Sequence, residues 1–465
     1  MRIHCLKKQQ IKLRWLFLLI LMGSNYLPSA AQTVELSIRE TLQRVEQQLP
    51  LLESYRQQAA ATKENGAIVR NSLVPDLNIG YQANIATFNN ITGMNYPGFL
   101  LPISGPPSLG NDWNFIPGSA AGALLKWNPI TFGQRQAALE KASAQFKLAN
   151  ANYNEQLFHQ QYLAIQHYLE AIYLQKTLRI ARAVVDRLKL NLSYSLVLTQ
   201  TGLKAGIDSA QFQAAILQAE IEELQTEKNY LEKLTELSRL TGLETTISSL
   251  VLTDTIPGIS LQALEPVEHQ QHPLFKALQS QKAITAAGLK EQKKAWLPQL
   301  DIWGNLYARG SGVDATGVVD KGAGWQFSRT NAGVGLQLSF SILQFSKINI
   351  RKKQFEFLLK SDEARLSQAQ LDISKQTEQA MMHYQKNVAI AAKTPKQLRI
   401  ANEVYEGLKI SYEAGLIDYT RLYQAQYELI RAELSNANAQ MQVWSSLLSI
   451  AIAKGNLSLF LDSLN

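Results

Sequence analysis

The chain has one cysteine in 465 residues, Cys5, and it falls near the start. Once the leading segment is removed, no disulfide and no thiolate metal site is open to the protein. Long apolar runs are also missing. The conspicuous one, "WLFLLILM" at 15–22, is well short of the roughly 20 residues that span a bilayer as a helix. It follows Arg2, Lys7, Lys8, Lys12 and Arg14, with no acid among them, and precedes Pro28 and the small residues "SAA" at 29–31. That order is a secretory signal peptide over 1–31, with Gln32 the first mature residue. Cys5 stands in the basic region and not at the cleavage point, so the expectation is an exported chain without a lipid anchor. A chain with no apolar 20-mer that still crosses a membrane must do so with strands.

Charge of one sign is lacking too. The formal charge of +8 loses five cations with the signal segment and falls to near +3, which is no nucleic-acid signature. Histidine is scarce: His159, His167, His269, His272 and His383 remain. Only "EHQQH" (268–272) has a ligand-like i, i+3 spacing, and it lies in a polar stretch before Pro273, where a surface connector is the plainer reading. No glycine-rich phosphate loop joins a strand to a helix, and there is no G-x-S-x-G. The acids are spread along helical patterns. No enzyme, cofactor or metal is expected.

Glycine and proline are absent from 134–198. Through that stretch Leu157, Ala164, Ala171, Leu178, Val185 and Leu192 step by seven, a coiled-coil seam with small rungs. A helix of this length spans on the order of 95 Å. A second seam, Leu359, Leu366, Ile373 and Ala380, runs through a pattern over about 346–411 that Pro395 is expected to kink.

The two seams belong to a tandem repeat. Shifted by 223 residues, Ser37 meets Ser260, Pro50 meets Pro273, Thr62 meets Thr285, Pro75 meets Pro298, and Ile79 meets Ile302. At an offset of 213, "TGLKAGIDSAQFQAAILQAE" (201–220) lies on "AGLIDYTRLYQAQYELIRAE" (414–433), and Gly242 meets Gly455. Each copy reads as a helix, a proline that ends it, a strand, a loop, a second strand and a long helical hairpin. "SIRE" (37–40) has the pattern of a capping box, and the first helix is expected to continue to about Leu73. The fold class expected is mainly α with a small β part. The first repeat covers 32–245, with strands at about 76–87 and 119–130 and a hairpin over 133–242. A connector follows over 246–272. The second repeat covers 273–465, with strands at about 299–310 and 328–341 and a hairpin over 345–455. Four strands cannot close a barrel, and open edges cannot face lipid; three chains would supply twelve. Tyr81, Trp127, Trp303 and Tyr307 lie in the strands, where an aromatic girdle and ordinary strand aromatics are equally open readings.

The doubled Pro-x-Leu strand start ("VPDL", "LPQL"), the doubled reversal ("KAGIDS", "YEAGLIDY") and the "QAE"/"RAE" endings together resemble the TolC-like outer-membrane efflux proteins. The resemblance covers essentially the whole mature chain. It implies a homotrimer, with a twelve-stranded outer-membrane barrel and a long periplasmic coiled-coil barrel. It also implies docking to a periplasmic adaptor and an inner-membrane pump or secretion transporter, in a passive conduit. The docking tips would be Gly202, Gly206, Ile207, Asp208, Gly415 and Leu416. The pore entrance would fall at Asp418, Arg421 and Gln424. Members often carry aspartates about two turns beyond the second tip glycine. This sequence has Arg421 and Gln424 there, which puts an aspartate ring and the cation selectivity it confers in doubt. An exported coiled-coil adhesin is the rival reading; it accounts for the seams but not for two strand pairs set between helices.

Overall fold

The computed structural model describes residues 34–89, 108–202, 206–243, 250–252, 271–340 and 342–464. The expected signal peptide, 90–107 of the first inter-strand loop, Leu203 and His269 lie outside them. The chain divides into two compact units. One takes in Ser54–Glu155 and Pro273–Gln370; the other takes in residues up to Glu53, Gln156–His272 and the chain from Leu371 onward. Both repeats contribute to each.

The first repeat opens with β1 (Val34–Leu36) and α1 (Ile38–Gln48). Ser37 caps α1 by accepting the Glu40 backbone N–H at 3.2 Å. Only this half of the capping box forms, because Glu40 pairs with Arg44 instead, at 2.8 Å. The expected single helix to Leu73 is two. Leu49 is extended at φ −72°, ψ 115°, and α2 starts at Pro50 and runs to Asn71. A residue before proline avoids the helical region, while proline suits a first helical position.

A four-stranded antiparallel sheet follows from β2 (Asp76–Thr87), β3 (Phe115–Ile130), β5 (Gln299–Ser311) and β6 (Arg329–Ser339), in that order. β3 starts at Phe115 rather than 119, because β2 continues outward and pairs Thr87 with Phe115. β3 and β5 join the two repeats, with Ala123 opposite Leu306 and Trp127 opposite Ile302. The strand feet are tied together. Trp127 Nε1 donates to the Leu73 carbonyl at 2.8 Å, and Arg135 donates to Ser72 Oγ and to the Asn128 and Pro129 carbonyls. Gln134 bridges to the second repeat through the Leu297 carbonyl at 2.6 Å and Gln299 at 2.8 Å.

The long helix α3 (Gln134–Gln200) contributes to both units and is followed by α4 (Ile207–Thr241). Within its seam Ala164, Ala171, Leu178 and Val185 are buried. β4 (Leu250–Leu252) pairs parallel with β1. Neither short strand was expected, and β4 falls inside the stretch read as connector. Such three-residue strands leave no alternation to read. Tyr168 OH donates to the Leu36 carbonyl at 2.8 Å beside them. In the second repeat α5 (Pro273–Lys294) leads into the sheet, and α6 (Phe345–Ala391), α7 (Thr394–Glu413) and α8 (Tyr419–Ala453) follow it. The expected kink at Pro395 is a full interruption: α6 ends at Ala391, and Pro395 sits in the first turn of α7, where its missing N–H leaves no gap. A short α9 (Ser458–Asp462) packs Phe460 edge-on against Trp444.

Candidate functional site

The two helical reversals lie in one unit and pack together. In the second, Gly415 stands at φ +75°. Its N–H donates to the Tyr412 carbonyl at 2.9 Å, and the Leu416 N–H donates to the Ser411 carbonyl at 2.9 Å. This is the pair of bonds of a Schellman close, which needs a left-handed residue after the helix. In the first reversal Gly202 stands at φ +76°. Gly206 does not share this geometry: it caps α4 at φ −63°, a conformation open to any residue. Ile207 and Leu416 are exposed at 65% and 78%.

Side chains behind the reversals clasp the two hairpins. Tyr412 OH donates to Asp208 Oδ2 at 3.2 Å. Phe212, fully buried, meets Tyr412 and Tyr419 edge-on at 6.0 and 4.6 Å between centroids. Ser195 and Ser209 hydroxyls are 3.1 Å apart. Burial raises the Tyr412 phenol and pushes Tyr419 up to about 12. One layer further in, Asn191 Nδ2 donates to Tyr405 OH and Gln426 Oε1, both at 3.2 Å. Arg187 forks onto Glu433 at 2.8 and 2.7 Å. Tyr405, Tyr412, Phe212, Tyr419 and Asn191 were missed in the sequence. The signal was there for three of them, since Tyr405, Tyr412 and Tyr419 step by seven through the glycine reversal.

Asp418 is the N-cap of α8, accepting the Arg421 N–H at 3.0 Å. Its carboxylate is thereby bound to the helix start. Arg421 and Gln424 line a hollow of about 400 Å³ between α7 and α8 with Ala401, Val404, Leu408 and Glu428.

The sheet has two unlike faces. Residues paired across an antiparallel ladder share a side, and alternate residues oppose. Leu77, Ile79, Tyr81 and Ile85 of β2 therefore share a face with Ala123, Leu125 and Trp127, then Ile302 and Leu306, then Val334, Leu336 and Leu338. The large members at both outer strands are exposed, Ile79 at 79% and Val334 at 81%. Asn78, Gln82, Lys126, Asp301, Asn305, Arg309, Asn331 and Gln337 take the other side. Trp303 and Tyr307 lie on that polar side as well, away from Tyr81 and Trp127, which corrects their grouping in one girdle. The reason is register: Trp303 lies opposite Gly335 and Tyr307 opposite Gly122, and each ring or its root fills space the glycine leaves. Phe327, next to β6, instead meets Tyr81 edge-on at 6.3 Å. His272, half of the "EHQQH" spacing, is buried; its Nε2 donates to the Ile452 carbonyl at 3.2 Å and its ring meets Phe158.

Residues 267–456 match the family model described as outer membrane efflux protein. Among solved structures, the chain is similar to the outer-membrane channel OprN, at 17% identity, TM-score 0.73 and 90% coverage of both chains. It is similar to VceC of Vibrio cholerae, at 13% identity, TM-score 0.71 and coverage of 90% of this chain and 96% of that one. It is also similar to the CmeC channel of Campylobacter jejuni, at 14% identity, TM-score 0.72 and coverage of 90% and 85%. No curated protein matches it by sequence. The second repeat thus carries the outer membrane efflux protein pattern, and the whole chain has the TolC-like fold. The family match covers 267–456, and the fold is the one seen in those outer-membrane channels.

Proposed function

We propose that the chain is the outer-membrane component of an efflux or export assembly. Three copies close a twelve-stranded barrel, and their helices form a periplasmic conduit that docks an adaptor serving an inner-membrane pump or exporter. The observation that carries this reading is the four-stranded sheet. β2 and β6 each lack a second strand neighbour among the described residues, and one face is apolar, with its large side chains on those two strands exposed. A lipid-facing sheet cannot leave its edges unpaired, and further copies of β2 and β6 are the nearest complement. The helices of the same unit support it. Ile350 and Phe357 of α6 are exposed at 67% and 69%, as faces awaiting other helices would be. The signal peptide and the lack of a lipid anchor belong to this proposal. The adhesin reading accounts for none of the sheet's asymmetry. Light scattering of the detergent-extracted protein should give the mass of three chains. A stable monomer that keeps its sheet embedded would overturn the reading.

A further inference from the structure

The polar side of the sheet is not uniformly polar. Arg309 of β5 lies directly opposite Arg329 of β6 in the ladder, with Ala120 and then Gln82 completing the row across β3 and β2. Two like charges in directly opposite positions repel, and a sheet ordinarily avoids the arrangement or places an acid beside it. No acid stands there. Both arginines are exposed, and neither guanidinium has a hydrogen bond or ion pair among the described residues. The adjoining rows on this side supply Tyr307, Asn331 and Asn84, which are neutral hydrogen-bonding groups.

The acids of the same side, Asp76 and Asp301, stand near the opposite ends of their strands. Lys126 lies across from Asp76 and Gln337 across from Asp301. The acids of the nearby loops are engaged locally. Asp314 accepts from Thr316 and Val318, Asp320 from the Gly322 N–H, and Asp112 from the Asn114 N–H. The segment 90–107 contains no charged residue at all.

We propose that Arg309 and Arg329 form an anion-recognising level on the polar side of the strands, and that the molecules this channel passes carry carboxylate or phosphate-type groups. The proposal rests on the preceding reading, in which three sheets close with this side inward and bring six guanidiniums to one level. In that setting low-dielectric walls focus a positive field and concentrate anions. Guanidinium is the side chain whose planar fork matches a carboxylate or phosphate edge, and it stays charged at any working pH. The repulsion between the paired arginines is then relieved whenever an anion lies between them. Selection against cations follows from the same field.

The test uses the full-length trimer in a planar bilayer under a potassium chloride gradient. The native channel should show a reversal potential on the chloride side. R309Q/R329Q should lower the chloride-to-potassium permeability ratio several-fold, and R309K/R329K should keep most of it. Pyrophosphate should reduce the native current, and its apparent affinity should fall about tenfold or more in the glutamine pair. Light scattering and circular dichroism check that each variant is an assembled trimer. Unchanged selectivity and unchanged pyrophosphate block in R309Q/R329Q would overturn the proposal; a preference that instead follows R421Q would assign it to the helical tip. A reconstituted trimer without conductance would overturn the conduit reading and this proposal together. Ordinary conductance without the charge effect defeats this proposal alone.

Discussion

At Gly415 the backbone stands at φ +75°, and no atom lies within 4 Å of where a Cβ would be. A side chain there meets strain and not collision, on the order of 1–2 kcal/mol for an L-residue held left-handed. Gly415→Val should therefore still assemble, with an altered tip that fails to dock, and so give normal trimer but lost export. Gly206 is different: at φ −63° its nearest neighbour would be Thr199 Cγ2 at 3.7 Å. Gly206→Val should export close to normally, and an export assay of the two variants side by side checks both. Tyr412 offers the second residue-scale prediction. Tyr412→Phe keeps the ring against Phe212 and removes the hydroxyl with its bonds to Asp208 and Ser195, each worth about 1 kcal/mol. The clasp between the hairpins should loosen, seen as higher single-channel conductance with unchanged trimer mass.

Elements are specified by which way they face. On β2, Ile79 and Gln82 stand on opposite sides of the sheet. Ile79→Arg should cost about 2–4 kcal/mol where it faces mid-bilayer, while Gln82→Arg should be nearly neutral; urea titration of the reconstituted protein separates them. Between α3 and α4, Glu170 is held down to about 2. His167 beside it is the leading cause, and Lys233 and Gln166 add to it against an opposing effect of burial. Lys233 Nζ is 2.7 Å from its carboxylate. A carboxyl depressed on folding adds stability above its unfolded value near 4.5, and that stability is lost as pH falls toward 2. Glu170→Gln should thus melt lower than the native protein at pH 7, and the difference should vanish between about pH 4.5 and 2. A difference that persists at pH 2 would mean that Glu170 acts through packing.

For the whole molecule, the loop between β2 and β3 carries the orientation. Long loops of outer-membrane barrels lie outside the cell and short turns inside. A tag inserted near Gly105, outside the described residues, should be labelled on intact cells. Protection there, with labelling of a tag in the helices, would reverse the assignment. In the proposed assembly, orientation, closure and docking are properties of three chains, so mass, labelling and conductance test them where a single protomer's packing cannot.

Much of this was legible without coordinates. The strand starts at Pro75 and Pro298 and the period of two after each place β2 and β5, because proline ends a helix and alternation marks a two-faced strand. The seam at Ala164, Ala171 and Val185 marks α3, because small residues every seven positions allow close helix packing. Glycines matched at an offset of 213 mark the reversals, since only a residue without Cβ turns left-handed cheaply. Tertiary structure decided the rest. Which side of the sheet Trp303 and Tyr307 take depends on strand pairing, and period alone cannot say which of two faces meets lipid. That Gly202, not Gly206, adopts positive φ depends on where α3 stops. The Tyr412–Asp208 clasp joins residues 204 apart, and the Arg309–Arg329 pair depends on ladder register. Local sequence patterns determine which elements form; contacts between distant residues depend on how those elements are brought together, which no local pattern encodes.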